Sequence, residues 1–294
     1  MSFNTSSRIG FIGLGVMGAG MAHCLLRAGH QLGVHARKPE ALAPLVAAGA
    51  HAYASPQALG QNADLVILSL PDTAAVESVL FGPQGLAAGL APGACVIDTS
   101  TIAASSAQQF GRQLAQARID FLDAPVSGGQ PGAIAGTLTC MVGGSANTYA
   151  ACAEVLQAFS QSLTHVGDIG AGQTVKACNQ VAVAGAMLGM VDAISIAQSQ
   201  GLDLNVMRQV LLGGAARSFS MEKHAPRVIE GNYVPGFRAR LMLKDLRLAL
   251  ETAQTKNAGL AVAPIAQQLL SAMCDAGHGD LDWSGIALEV LGRD

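Results

Sequence analysis

Four sets of residues have types and spacings that could do chemistry. The turn Gly13-Leu14-Gly15-Val16-Met17-Gly18 has the glycine spacing of a dinucleotide-binding loop. Gly13 allows a tight turn, Gly15 lets backbone meet a pyrophosphate, and Gly18 lets a helix pack close to a strand. Amide N–H groups and the helix dipole at such a start favour phosphate charge. Next, Ala36 stands where an acid would hold the ribose 2′-hydroxyl, and Arg37 and Lys38 follow it. A guanidinium fork and a point charge suit a 2′-phosphate, so the expected cofactor is NADP(H), with NAD(H) admissible. Two solvated surface cations are the alternative. Ser127-Gly128-Gly129 offers a hydroxyl and exposed N–H groups, a nest for a carboxylate, or else a plain turn. Lys176 and Asn179 stand three residues apart, so one helical face can present an ammonium and an amide together. Taken alone, Lys176 would pass for a surface lysine. The six cysteines form no C-x-x-C pair and none is spaced with His as a metal ligand, so no metal site is expected. The histidines show no pairing pattern either.

The elements that must position these groups follow from hydrophobic periodicity. The apolar run 8–13 breaks at glycine and reads as a buried parallel strand. Residues 17–28 follow helical periodicity and stop at Gly29, and 31–35 form the second strand. Pro39 opens a helix ending near Gly49. Further strands are expected at 64–70, 95–98, 121–124, 137–142 and 163–166. Strands alternating with helices predict a Rossmann doubly wound parallel sheet over residues 1–167. From about residue 168 the strand pattern disappears. A long helix over 173–200, then helices at 203–212, 219–230, 237–257, 261–276 and 284–291, predict an all-α domain over 168–294. The class is therefore α/β followed by all-α. The long apolar helix is also a candidate subunit interface, so a homodimer or homotetramer is expected.

Composition narrows the class of partner. Half of the 294 residues are hydrophobic and 13% are charged, which supports a large core and argues against disorder. A net charge of -3, no basic patch, and only three Tyr and one Trp argue against nucleic acid. Residues 177–197 are apolar enough to raise a membrane span, but Asn179, Gln180 and Asp192 interrupt them and favour a buried helix. The polar start leads directly into a strand, and the cysteines read as reduced thiols, so a cytoplasmic protein is expected.

Several blocks together carry a resemblance. The glycine turn continues to Met21-Ala22. Then come Asp123-Ala124-Pro125-Val126-Ser127-Gly128-Gly129, Gly170-Ala171-Gly172-Gln173-Thr174-Val175-Lys176-Ala177-Cys178-Asn179-Gln180, and Lys244-Asp245-Leu246. In this order and spacing the chain resembles the β-hydroxyacid dehydrogenase (3-hydroxyisobutyrate dehydrogenase) family over essentially its whole length. The wording of residues 133–138 and 169–172 is similar to the tartronate semialdehyde (2-hydroxy-3-oxopropionate) reductase branch. The resemblance implies Lys176 as the catalytic acid/base and Asn179 as the group that holds substrate and fixes the lysine. It implies Ser127, Gly128 and Gly129 as substrate-binding residues, and Thr101 and Lys244 as cofactor contacts. Ala36 departs from the Asp or Asn that relatives often carry. Lys244-Asp245 could instead be an exposed ion pair of little consequence.

The implied reaction interconverts a small 3-hydroxy acid and its semialdehyde. Charge builds on the carbonyl oxygen as hydride arrives, and with no zinc cluster a side-chain acid must serve. Burial, an adjacent cofactor and the start of a helix would lower the pKa of Lys176 toward neutrality. Alternatives are 3-hydroxyisobutyrate, glyoxylate or succinate semialdehyde as substrate. Lys176 argues against imine reduction, and the helical domain is short for 6-phosphogluconate-type decarboxylation. A non-catalytic nucleotide-binding module that reads a partner protein is the reading from another class. Ser218, Met221, Phe237 and Trp283 are candidates for shaping the substrate pocket.

Overall fold

The structure is a computed structural model and describes residues 2–292. The expected domain limits at residues 1 and 294 lie outside the described residues. The chain alternates β1 (Arg8–Ile12), α1 (Val16–Arg27), β2 (Gln31–His35), α2 (Pro39–Ala47), β3 (His51–Ala52), α3 (Pro56–Gly60), β4 (Leu65–Leu68) and α4 (Thr73–Phe81). It continues with β5 (Cys95–Asp98), α5 (Ala104–Gln116), β6 (Asp120–Asp123), β7 (Val126–Ser127), α6 (Gly129–Ala135), β8 (Leu138–Gly143), α7 (Ala146–Gln157) and β9 (Ser160–Gly167). After α8 (Ala171–Ser199) come α9 (Leu204–Leu212), α10 (Ala225–Glu230), α11 (Ala239–Gln254), α12 (Ala263–Met273) and α13 (Ile286–Leu291). The chain divides into two compact units, the first ending at Lys176 and the second beginning at Ala177.

The first unit holds one sheet in the order β3-β2-β1-β4-β5-β6-β8-β7, with β9 beside β8. Strands β3 to β6 along this order are all parallel, so β1 is flanked by β2 and β4 at the point where the chain reverses its winding. The register pairs Ile9 with both Leu32 and Leu65. Alternate residues feed two cores. Phe11, Leu65, Ile67 and Ile97 pack on one side of the sheet, and Ile12, Val66, Leu68 and Val96 on the other. Both faces are covered, which is why these strands read as unbroken apolar runs. The sheet is more mixed than expected, because β8 runs antiparallel to β6 and β7. β3 and β7 are two residues each, too short to show alternation, and escaped the sequence pattern.

The second unit is helical and has its own core. Met187, Val191, Ile194, Met242, Leu246, Leu270, Met273 and Trp283 are buried in it. α8 is long and apolar enough to cross a membrane by length and composition, and its Ala184, Met187, Met190, Val191 and Ile194 belong to this core. The expected helix at 219–230 is a π-helical turn at Ser220–His224 followed by α10. That at 261–276 is α12 followed by a second π-helical stretch, Cys274–His278, in which Gly277 departs from helical geometry.

Candidate active site

The glycine turn sits where β1 ends, between β2 and β4. Ser69 N donates to the Ile12 carbonyl at 2.9 Å, and Gly13 N to the His35 carbonyl at 3.4 Å. Gly13 has φ of 100°, and a β-carbon there would run into the Ser69 carbonyl. A β-carbon on Gly18 would run into the carbonyl of Gly13, so α1 can approach the turn only because residue 18 has no side chain. Gly15 differs, since a β-carbon there would meet nothing within 4 Å. The first turns of α4 and α7 are capped by Asp72 and Ser145. α1 has Gly15 at its N-cap, with no side-chain cap and no acid in its first turn. Unshielded N–H groups facing open space fit a pyrophosphate. Leu14 is buried, Met17 half-buried and Val16 exposed, so the turn contributes backbone rather than side chains.

At the end of β2, Ala36 packs against the core. Arg37 and Lys38 are exposed, and among the described residues their side chains make no hydrogen bond or ion pair. At the end of β5, Thr101 is half-buried and the stretch before it is pinned. Thr99 Oγ1 donates to the Leu68 carbonyl at 2.6 Å, Ser100 N to Asp98 Oδ1 at 2.9 Å, and Leu70 N to Ser100 Oγ at 2.8 Å. Beyond β6, Ser127 pairs with Thr139 in a short ladder, and Gly128 and Gly129 have φ of 134° and 62°. Only glycine takes the first of these without strain. α6 then lies close against α1, where a β-carbon on Gly20 would come within 2.9 Å of the Ala133 backbone.

Lys176 is 7% exposed, and its Nζ donates to the Val126 carbonyl at 2.9 Å. The lysine is therefore a buried group held beside Ser127 and not a surface residue. It lies in the second turn of α8, beyond the strongest part of the helix dipole. The first turn is met by a carboxylate: Asp123 Oδ1 accepts from Gly170 N at 2.7 Å and Oδ2 from Gln173 N at 2.9 Å. Burial pushes the Asp123 carboxyl up to about 6, against the opposing pull of these N–H donors.

In the helical unit Asn179 Nδ2 donates to Gln180 Oε1 at 2.7 Å, and Gln180 Nε2 to Asp245 Oδ2 at 2.6 Å. Lys244 Nζ lies 3.1 Å from Asp245 Oδ1. Asn179 and Lys244 thus belong to one polar chain. Asp245 is 3% exposed, so its pairing with Lys244 is not an exposed one. Met221 and Trp283 are part of the helical core, while Ser218 and Phe237 are half-buried. Among the described residues no group of three or more His, Cys, Asp or Glu could hold a metal. His165 Nε2 meets the Gly144 carbonyl at 2.7 Å, and His224, read as unpaired, lies 3.9 Å from buried Asp282.

Residues 8–167 match the NAD binding domain of 6-phosphogluconate dehydrogenase, and residues 170–290 match the NAD-binding domain of NADP-dependent 3-hydroxyisobutyrate dehydrogenase. The chain is 38% identical to the 3-hydroxyisobutyrate dehydrogenase of Pseudomonas aeruginosa, over 97% of this chain and 99% of that one. It belongs to the 3-hydroxyisobutyrate dehydrogenase family. It is also 37% identical to the 2-hydroxy-3-oxopropionate reductase of Escherichia coli, over 97% and 98% of the two chains. The crystal structure of a 3-hydroxyisobutyrate dehydrogenase from Salmonella typhimurium superposes with a TM-score of 0.87 at 33% identity, covering 96% and 99%. As a member of this family the protein is an NAD(P)-dependent 3-hydroxyacid dehydrogenase acting on a CH–OH group.

Sequence reasoning did not single out four buried polar side chains that hydrogen-bond around the candidate site residues. Asp123, Gln173, Gln180 and Asp245 all stand inside the recognisable blocks. Their signal was a polar residue within an otherwise apolar stretch, which points to burial with a partner.

Proposed function

We propose that the protein interconverts 2-hydroxy-3-oxopropionate (tartronate semialdehyde) and its 3-hydroxy acid, with NADP(H) as the preferred nicotinamide cofactor. The observation that carries the reading is the buried Lys176 side chain, whose Nζ is anchored 2.9 Å from the Val126 carbonyl beside Ser127. The glycine turn would hold the nicotinamide cofactor, which would supply or accept the hydride. Lys176 Nζ gives a proton to the carbonyl oxygen during reduction and takes it back during oxidation. Asn179 steadies the substrate oxygen and the lysine. The Ser127 hydroxyl and the N–H groups of Gly128 and Gly129 hold the carboxylate. The backbone of Gly13, Leu14, Gly15, Val16, Met17 and Gly18 takes the pyrophosphate, Thr101 and Lys244 contact the cofactor, and Arg37 and Lys38 meet a 2′-phosphate. The exposed, unpaired state of those two cations supports that last assignment.

The roles of the two expected domains, cofactor binding over 1–167 and substrate binding with dimerisation over 168–294, belong to the same proposal. Exposed Ile196, Leu202, Val206 and Val210 in the helical unit support a homodimer or homotetramer. Six free cysteines support a reducing, cytoplasmic setting. The relative from Pseudomonas aeruginosa favours 3-hydroxyisobutyrate as the second reading. Oxidation of NADPH and NADH with tartronate, methylmalonate and succinate semialdehydes and glyoxylate decides between them. The expected result is the highest kcat/KM with tartronate semialdehyde and NADPH. A higher value with methylmalonate semialdehyde selects the second reading.

A further inference from the structure

Asp123 is fully buried at the end of β6, and neither of its oxygens meets a cation in the hydrogen-bond network around it. Instead it spans the entry to α8, taking the N–H of Gly170 on one oxygen and that of Gln173 on the other. Two glycines make this approach possible. A β-carbon on Gly172 would come within 2.5 Å of the Asp123 and Met141 carbonyls, and one on Gly143 would run into the Asp123 carboxylate. Gln173 is 3% exposed and spends both ends of its carboxamide on the segment after β5. Its Oε1 accepts from Ile102 N at 3.1 Å and its Nε2 donates to the Ser100 carbonyl at 2.8 Å. Thr101 lies between those two anchor points. One turn further along α8, Lys176 Nζ reaches the Val126 carbonyl next to Ser127.

We propose that Asp123 and Gln173 are positioning residues for hydride transfer. Together they tie the first turn of α8 to the ends of β5 and β6, so that Lys176, Thr101 and Ser127 keep one common geometry. The proposal rests on the reading of Lys176 as the acid/base. A helix start held only by solvent would fray, and its second turn would move with it. Asp123 removes that freedom with a carboxylate that accepts two N–H groups at once. Gln173 converts the held helix into a brace for the cofactor-side segment. Neither side chain touches a reacting atom, so each acts only through what it holds.

The test uses full-length Asp123→Asn, Gln173→Met and Lys176→Ala, with kcat expressed per folded molecule. Asp123→Asn keeps shape but loses one of two acceptors, and Gln173→Met keeps volume but loses both bonds. A displacement of about 1 Å at the acid lowers kcat by about 10- to 100-fold. That loss is expected in both variants, with the substrate KM changed by less than about threefold, because binding groups common to ground and transition states remain. The pH limb of kcat that disappears in Lys176→Ala should also shift in both variants by about half a pH unit, since the surroundings of the lysine change. A purely structural role would leave that limb in place. If Asp123→Asn does not fold, Gln173→Met decides alone. Wild-type kcat per folded molecule, or an unmoved limb, overturns the proposal. Full turnover in Lys176→Ala overturns the acid/base reading itself, and this proposal with it.

Discussion

The glycine turn after β1 and the entry to α8 do comparable jobs by opposite means. The turn is made by six contiguous residues, and three glycines shape it by what they lack. Gly13 and Gly18 remove steric conflict inside the protein, while Gly15 leaves space outside it. The entry to α8 is assembled from residues 100, 102, 123, 126, 170, 173 and 176, and it works through side chains that fill hydrogen-bonding positions. The binding role proposed for the turn can be built locally, because backbone amides would supply its chemistry. The proton-transfer role proposed for Lys176 needs a buried side chain at a set place, and residues distant in the chain hold it there.

The largest expected effect that would break this contrast is at Lys176. Lys176→Ala should lower kcat by about 100- to 10,000-fold, the range for general acid catalysis, with cofactor affinity within a few fold of wild type. Retained turnover in steady-state assays would sink the assignment. The next effect concerns pH. The carboxyl of Asp123 titrates at about 6 in the folded protein against 3.8 as a free group. Its pKa is raised, so this stabilising contribution is complete below pH 3.8 and is lost as pH rises through about 6. The loss amounts to about 3 kcal/mol, at about 1.4 kcal/mol per pH unit. Urea melts of wild type and Asp123→Asn between pH 4 and 7.5 should show their stability difference moving in favour of the variant as pH rises. A pH-independent difference would contradict the buried, titrating carboxyl.

Glycine substitutions sharpen the comparison at the turn. Gly18→Ala should destabilise the fold by about 1–3 kcal/mol, because the added carbon is forced against the backbone of Gly13. Gly15→Ala should leave Tm nearly unchanged and weaken dinucleotide binding, measured by calorimetry. Equal losses of stability in both variants would erase the distinction between inner and outer glycines. The smallest effect is at the end of β2. Arg37→Ala should reduce the NADPH over NADH preference in kcat/KM by about tenfold, and less at high salt, as for any exposed charge pair. An unchanged ratio would return Arg37 to the solvated surface.

Much of this was legible in residues close together in the chain. The alternating elements, the glycine turn, the long helix and the change to an all-helical half all follow from local periodicity, and the strands carried by sustained apolar runs came out near their actual limits. The two-residue strands β3 and β7 could not be read, because they exist only through their neighbours. The site was legible as a set of residue types. That Lys176 is buried, that Asp245 is not an exposed partner of Lys244, and that His224 approaches Asp282 all needed the fold.

The sequence by itself determined the β1-turn-α1 unit and the placing of Lys176 and Asn179 three residues apart on one helix, because backbone geometry and a 3.6-residue repeat act over a few residues. The tertiary structure decided that Asp123 and Gln173 grip the start of α8 and that Lys176 is anchored at Val126. Those contacts join positions about fifty to seventy residues apart, and burial alone gives them their strength, by excluding water that would otherwise take the same hydrogen bonds.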